Sequence, residues 1–268
     1  MIDNGKQNVL GVLVDAVDYD ASVMRIRDAA IDGHGYSVSA LAVHGVMSGV
    51  DDDEHRYRLN HLDLVTPDGQ PVRWAVRWTG GPALPDRVYG PELTLRVCEM
   101  ARDQQLPVFF YGSTADVLEL LATNLTRTYP GLQIAGSEPS RFGPTSADEQ
   151  LEIAARIKES GARITFAGLG CPRQEVFAYE YRDLLDMPVL AVGAAFDYHA
   201  GVLKEPPDWV QRVGMQWAYR LGQDPKRLWH RYTVLNGRYL SKVLGQRLGL
   251  VSYDPQRLPV SPSPLRYG

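Results

Sequence analysis

The chain has 268 residues, 44% of them hydrophobic, which is enough apolar material for one large or two small cores and excludes a chain too polar to fold. The formal charge of −4 hides an asymmetry: residues 204–247 hold nine Lys or Arg against three acids, net +6, which leaves −10 for the remainder. No run of ~18 or more apolar residues and no cleavable leader pattern is visible, and the two cysteines, Cys98 and Cys171, lack metal-ligand spacing, as expected in a reducing cytosol.

In chain order, apolar runs alternate with segments of helical period. Residues 9–14 read as a strand and 21–32 as a helix with Val23, Ile26 and Ala30 on one side. Residues 36–43 alternate as a strand that runs into the turn His44-Gly45. The stretch from 46 to about 61 reads as one helix, and 63–66 as a short strand delivering Pro67-Asp68-Gly69 to a loop. Pro91 opens a second cycle, with Leu93, Val97 and Met100 on one helical face and a strand over 107–111 that stops at Gly112-Ser113. Ser113 or Thr114 can cap a helix carrying Val117, Leu121 and Leu125, which Pro130-Gly131 ends. Residues 132–135 read as a strand, and Ser146-Ala-Asp-Glu149 is a capping-box pattern opening a helix with Ile153 and Ile157. Residues 164–169 and 188–192 are almost wholly apolar strands around a helix at about 174–185.

The sum is an α/β fold with a doubly wound, mainly parallel, Rossmann-like sheet over residues 8–203. Strand signals stop after Gly201, so 204–250 reads as a basic helical appendage, and the proline-rich 254–268 as a disordered tail. No internal repeat is visible.

The loop from Phe166 to Glu175, Phe-Ala-Gly-Leu-Gly-Cys-Pro-Arg-Gln-Glu, ends a buried strand in glycines and then a polar cluster. Strand carboxyl ends are where α/β sheets bind small molecules, and glycines such as Gly112, Gly170 and Gly193 let the backbone approach a phosphate. A third glycine at dinucleotide spacing is missing after Gly168 and Gly170, which argues against a nicotinamide-dependent oxidoreductase. Asp68 is the candidate base: an exposed loop carboxylate with a pKa near ~4 is ionised at neutral pH and can take a proton from a sugar hydroxyl. Pro-Asp-Gly is also a common turn. Arg220, Arg227 and Arg231 recur at helical intervals and could neutralise a diphosphate leaving group, although arginines on helices are more often a solvated face. Cys171 reads as a small space-filling residue. Asp51-Asp-Asp-Glu54 offers a metal-like cluster but sits in a predicted helix as a solvated face, and the six histidines show no zinc spacing, so no metal and no cofactor is expected. No nucleic-acid recognition motif accompanies the basic segment.

These blocks in this order, with Asp63-Leu-Val-Thr-Pro-Asp68-Gly69 upstream and Val192-Gly-Ala-Ala-Phe-Asp197, Trp217-Ala-Tyr-Arg220 and Asp224-Pro-Lys-Arg227 downstream, resemble the WecG/TagA/CpsF family of glycosyltransferases over about residues 8–235. The resemblance implies an inverting, metal-independent transfer of a hexose or N-acetylhexosamine from a UDP-sugar to a lipid-diphosphate-linked saccharide acceptor, in bacterial envelope polysaccharide synthesis. It places such a protein peripherally on the inner face of the cytoplasmic membrane, and a homo-oligomer stays open. It makes Asp68 the catalytic aspartate, sets Arg87, Arg220, Arg227 and Arg231 on the diphosphate, and sets Gln174, Glu175 and Asp197 on the nucleotide. The family's Thr-x-Asn is Ala42-Val43-His44 here, so His44 stands in as the donor near the sugar, and a non-catalytic membrane-docking partner of the same fold is the alternative.

Overall fold

The computed structural model describes residues 1–204, 207, 210, 219, 221–222, 234–256 and 262–268. Six parallel strands form the central sheet in the order β4 (Leu64–Pro67), β3 (Tyr36–Leu41), β8 (Pro188–Ala191), β7 (Ile164–Gly168), β5 (Val108–Gly112), β6 (Ile134–Glu138). Side chains along each strand alternate between two cores: Phe109 and Tyr111 join one cluster, and Val108 and Phe110 the other. Both faces are thus covered, as a doubly wound sheet requires. Phe110 stacks on Phe166 at 5.2 Å and meets the Phe196 ring edge-on, while Tyr111, Phe177 and Tyr181 stack on the opposite face.

The helices follow local rules. Helix α1 (Tyr19–Asp32) is capped by the Asp18 carboxylate and stopped by Gly33 at φ 69°. Helices α5 (Gly90–Asp103) and α6 (Ala115–Thr128) follow β4 and β5, and α7 (Ala147–Glu159) opens with the full Ser146/Glu149 capping box. Helices α8 (Arg173–Leu185) and α9 (Ala195–His199) follow β7 and β8.

Four features depart from the sequence expectation. The first strand is a separate antiparallel hairpin, β1 (Asp3–Val9) and β2 (Val12–Val17), because Leu10 and Gly11 both take positive φ and reverse the chain. The helix expected over 46–61 is two, α2 (Val43–Asp51) and α3 (Asp53–Asn60), since Asp52 is extended and its carboxylate accepts the Glu54 and His55 amides. A further helix, α4 (Gln70–Trp78), follows Gly69 and buries Val72, Ala75 and Val76. Among the described residues of the C-terminal stretch, 262–268 return to the body rather than standing apart: Glu54 holds Ser263, Gln150 accepts from Arg266, and Tyr267 bridges Pro144. Polar pairing, not apolar burial, holds that segment, so its composition does not reveal it.

The last described helix, α10 (Asn236–Arg247), buries Tyr239 and Val243 against α4 and α2. Its Gln246 amide clamps the hairpin, donating to Asn8 O and accepting from Leu10 N, both at 2.9 Å.

Candidate active site

A cleft of about 600 Å³ opens over the carboxyl ends of β3, β4, β7 and β8, with Ser113 of the β5 end at its wall. Helices α2, α4, α5, α8 and α9 all begin around it, at Val43, Gln70, Gly90, Arg173 and Ala195. Helix N-termini and the positive ends of their dipoles therefore converge on one space, which suits an anionic ligand.

Asp68, His44, Arg87, Gly170, Gln174, Glu175, Gly193 and Asp197 all line this cleft. Gly112 does not: it pairs with Gly168 between β5 and β7, and a Cβ there would sit 2.7 Å from the Gly168 carbonyl oxygen. Its glycine serves strand packing. Arg220, Arg227 and Arg231 lie outside the described residues.

Asp68 is half-buried rather than exposed, because the β4 end tucks its backbone N–H onto Leu41 O and Thr66 O. Its Oδ2 accepts the Gly90 amide at 3.3 Å. Gly69 follows at φ 98°, a conformation that lets the chain turn at once into α4. Arg87 is only 8% exposed, and its guanidinium lies 4.2 Å from the Tyr89 ring centroid, which holds the cation at the cleft wall. Tyr89 and Tyr198 meet edge-on at 6.4 Å. Burial pushes the Tyr89 phenol above its ordinary range, and Tyr198 and Asp68 add to that, so it stays protonated.

On the floor, Gln174 donates through Nε2 to Glu175 Oε1 at 2.9 Å, and Ser39 Oγ donates to the same oxygen at 3.4 Å. Glu175 is 1% exposed, and burial raises its pKa although Gln174, its own backbone amide, Cys171 and Ser39 hydrogen-bond to it and oppose the rise. Glu175 thus lines the cleft and also holds the Gln174 amide in place. Gln174 Oε1 is buried without a hydrogen-bond partner among the described residues, beside Gly193. An orphan acceptor on a cleft floor calls for a donor from a ligand.

Cys171 is more than filler: its Sγ lies 3.3 Å from His44 Nδ1, within the cleft. Tyr89, Tyr198, Phe142 and Arg173 also line the site and escaped the sequence reading. Arg173 donates to Phe142 O, and Phe142 itself sits at φ 58°. The acidic run 51–54 is structural. Asp51 pairs with Arg238, Asp52 caps α3, Asp53 pairs with Arg56, and Glu54 holds Ser263.

The model of the Glycosyl transferase WecG/TagA/CpsF family matches residues 7–252. The chain belongs to this family. Over 187 residues it is 32% identical to the N-acetylglucosaminyldiphosphoundecaprenol N-acetyl-beta-D-mannosaminyltransferase of Bacillus spizizenii, covering 69% of this chain and 70% of that one. Over 223 residues it is 27% identical to the Bacillus subtilis protein of the same name, covering 83% and 84%. Membership in a glycosyltransferase family replaces the nicotinamide reading. Among the described residues of this WecG/TagA/CpsF member, no helix is long and apolar enough to cross a membrane.

Proposed function

We propose that this glycosyltransferase moves a hexose or N-acetylhexosamine from a UDP-sugar to a lipid-diphosphate-linked saccharide, with inversion and without a divalent ion. The observation that carries the reading is the placement of Asp68 and Arg87 in one cleft ringed by helix N-termini. Asp68 removes the proton from the acceptor hydroxyl as its oxygen attacks the anomeric carbon. The bond from that carbon to the diphosphate breaks on the opposite side, and the electron pair leaves with UDP. Arg87 takes up the charge that develops there, joined by Arg220, Arg227 and Arg231. Gln174, oriented by Glu175, and Asp197 engage the nucleotide, and His44, held beside Cys171, faces the sugar. The names of the Bacillus relatives support N-acetylmannosamine as the first sugar to test and undecaprenyl diphosphate N-acetylglucosamine as the first acceptor.

Calorimetric titration with UDP, a set of UDP-sugars and NADH, with and without a chelator, tests the reading. Chelator-insensitive UDP binding supports it. NADH binding with UDP silent would sink it.

A further inference from the structure

Phe142 stands at the cleft wall, 50% exposed, with φ 58°, a left-handed conformation that a bulky side chain holds only where its surroundings impose it. Two sets of contacts impose it here. On the cleft side, Arg173 Nη1 donates to Phe142 O at 3.1 Å, and its guanidinium lies 5.7 Å from the ring centroid. On the other side, Ser140 Oγ accepts the Phe142 N–H at 2.8 Å and gives its proton to Gly268 O at 2.7 Å. The Ser140 N–H reaches Ser113 O, just past β5, at 3.2 Å.

Residues 262–268 lie along this turn as a strap. The Arg141 N–H also donates to Gly268 O, the Thr145 N–H to Arg266 O and the Gly268 N–H to Gly143 O, at 3.1, 3.0 and 3.4 Å. The strap is anchored away from the cleft: Glu54 holds the Ser263 amide and hydroxyl, Arg58 donates to Ser263 O, and Arg266 donates to Gln150. Gly268 is buried where a Cβ would collide with Thr145 and Ile153. The family match ends at residue 252, before the strap begins.

We infer that Ser140 is a positioning residue for the cleft: it ties the Phe142 turn to residues 262–268, which hold that wall of the site from behind. Ser140 is 8% exposed, so losing its hydroxyl strips the Phe142 N–H of its partner where little water can replace it. The strained turn then relaxes, and the Phe142 ring and the Arg173 contact move with it. The sheet order says which part of the reaction this serves. Phe142 and Arg173 stand beside the ends of β5 and β7, whereas Asp68 follows β4. β7 and β4 are three strand spacings apart, about 14 Å, so the wall bears on the part of a ligand remote from the base. Its loss weakens binding and leaves proton transfer alone. That consequence rests on the transferase reading; the hold of the strap on the turn does not.

The test compares the full chain with Ser140→Ala, Ser140→Thr, Gly268→Ala and the double variant of the two alanine changes. In calorimetry the UDP Kd should rise by about fivefold or more in either alanine variant, stay near native in Ser140→Thr, and rise no further in the double variant, because both changes break one link. Donor KM should follow Kd while kcat stays within about twofold. Without ligand, trypsin cleavage after Arg141, followed by mass spectrometry, should quicken by about fivefold or more in both alanine variants. Unchanged UDP affinity in folded Ser140→Ala overturns the positioning role whatever happens to Tm, as do additive losses in the double variant or a Ser140→Thr variant no better than Ser140→Ala. Unchanged cleavage overturns the strap. A native chain that fails to bind UDP counts against the transferase reading, and the cleavage comparison still decides whether the strap holds the turn.

Discussion

The amide of Gly90, the first residue of α5, donates to Asp68 Oδ2 at 3.3 Å, so the candidate base is held by the N-terminus of a helix that begins 22 residues later. Asp68→Asn keeps the size and removes the base. Turnover should fall by between about 100- and 10,000-fold while the UDP dissociation constant barely moves. A stopped assay beside calorimetry checks the split, and full activity in the variant would remove Asp68 from the mechanism.

A Cβ on Gly90 would lie 3.1 Å from Val192 O, 3.2 Å from Ala40 Cβ and 3.4 Å from Asp68 Oδ2. The first two are tight contacts with the backbone just past β8 and with a fixed methyl, so the Gly90 turn itself has to shift and its amide moves away from Asp68. Gly90→Ala should therefore lower kcat more than it raises KM for the donor. Equal kcat in the variant and the native protein would show that the Gly90 contact does not orient the base.

The strands buried on both faces, the capping box at Ser146 and the Pro-Asp-Gly turn could all be read from the sequence, because apolar runs and cap residues have local causes. The hairpin could not: β1 is mostly polar, and Leu10 is an apolar residue in a turn. Helix α4 was hidden by its indoles, which break the expected apolar stripe by facing outward. Of the strand-end glycines, Gly170 and Gly193 line the cleft, whereas Gly112, which looks the same in sequence, packs between β5 and β7. Cys171 read as a space-filling residue and Tyr89 and Tyr198 gave no signal, since their roles depend on contacts made across distant parts of the chain.

Gly112 makes that distinction testable. Its φ of 114° is unsuited to side chains, and an added methyl would meet Gly168 backbone atoms at 2.7–3.1 Å. Gly112→Ala should cost at least about 2 kcal/mol of stability through strain and overpacking. The loss should appear in Tm, and the fraction that stays folded should bind UDP normally. Weakened UDP binding at unchanged Tm would return Gly112 to the ligand site.

Glu175 should set a pH trend of its own. Burial raises its pKa in the folded protein, so folding favours the protonated form. The stability it contributes is whole below the unfolded value of about 4.5 and is lost as pH rises through the folded value. Glu175→Gln keeps the hydrogen-bonding outline without the charge. The variant should gain on the native protein in denaturant midpoint as pH climbs from 4.5 toward neutrality, and a constant difference would show that Glu175 titrates alike in the folded and unfolded states.

His55 works in the opposite direction. It is 3% exposed in α3, its Nε2 is buried without a partner among the described residues, and burial pushes the imidazole down to about 4, with Arg58 and His44 adding to the fall and Asp52 opposing it. The unfolded chain charges His55 near pH 6.5, whereas the fold resists that charge until about pH 4. The contribution is therefore complete above pH 6.5 and lost as pH falls from 6.5 to about 4, on the order of 2–3 kcal/mol. Glu175 and the buried Asp15, whose pKa burial likewise raises, shift the other way over an overlapping range, so the native pH curve alone mixes the signals. Subtracting the curve of His55→Gln from the native one separates them: the difference should shrink steadily as pH drops across that window. A difference independent of pH would mean that His55 titrates alike in both states.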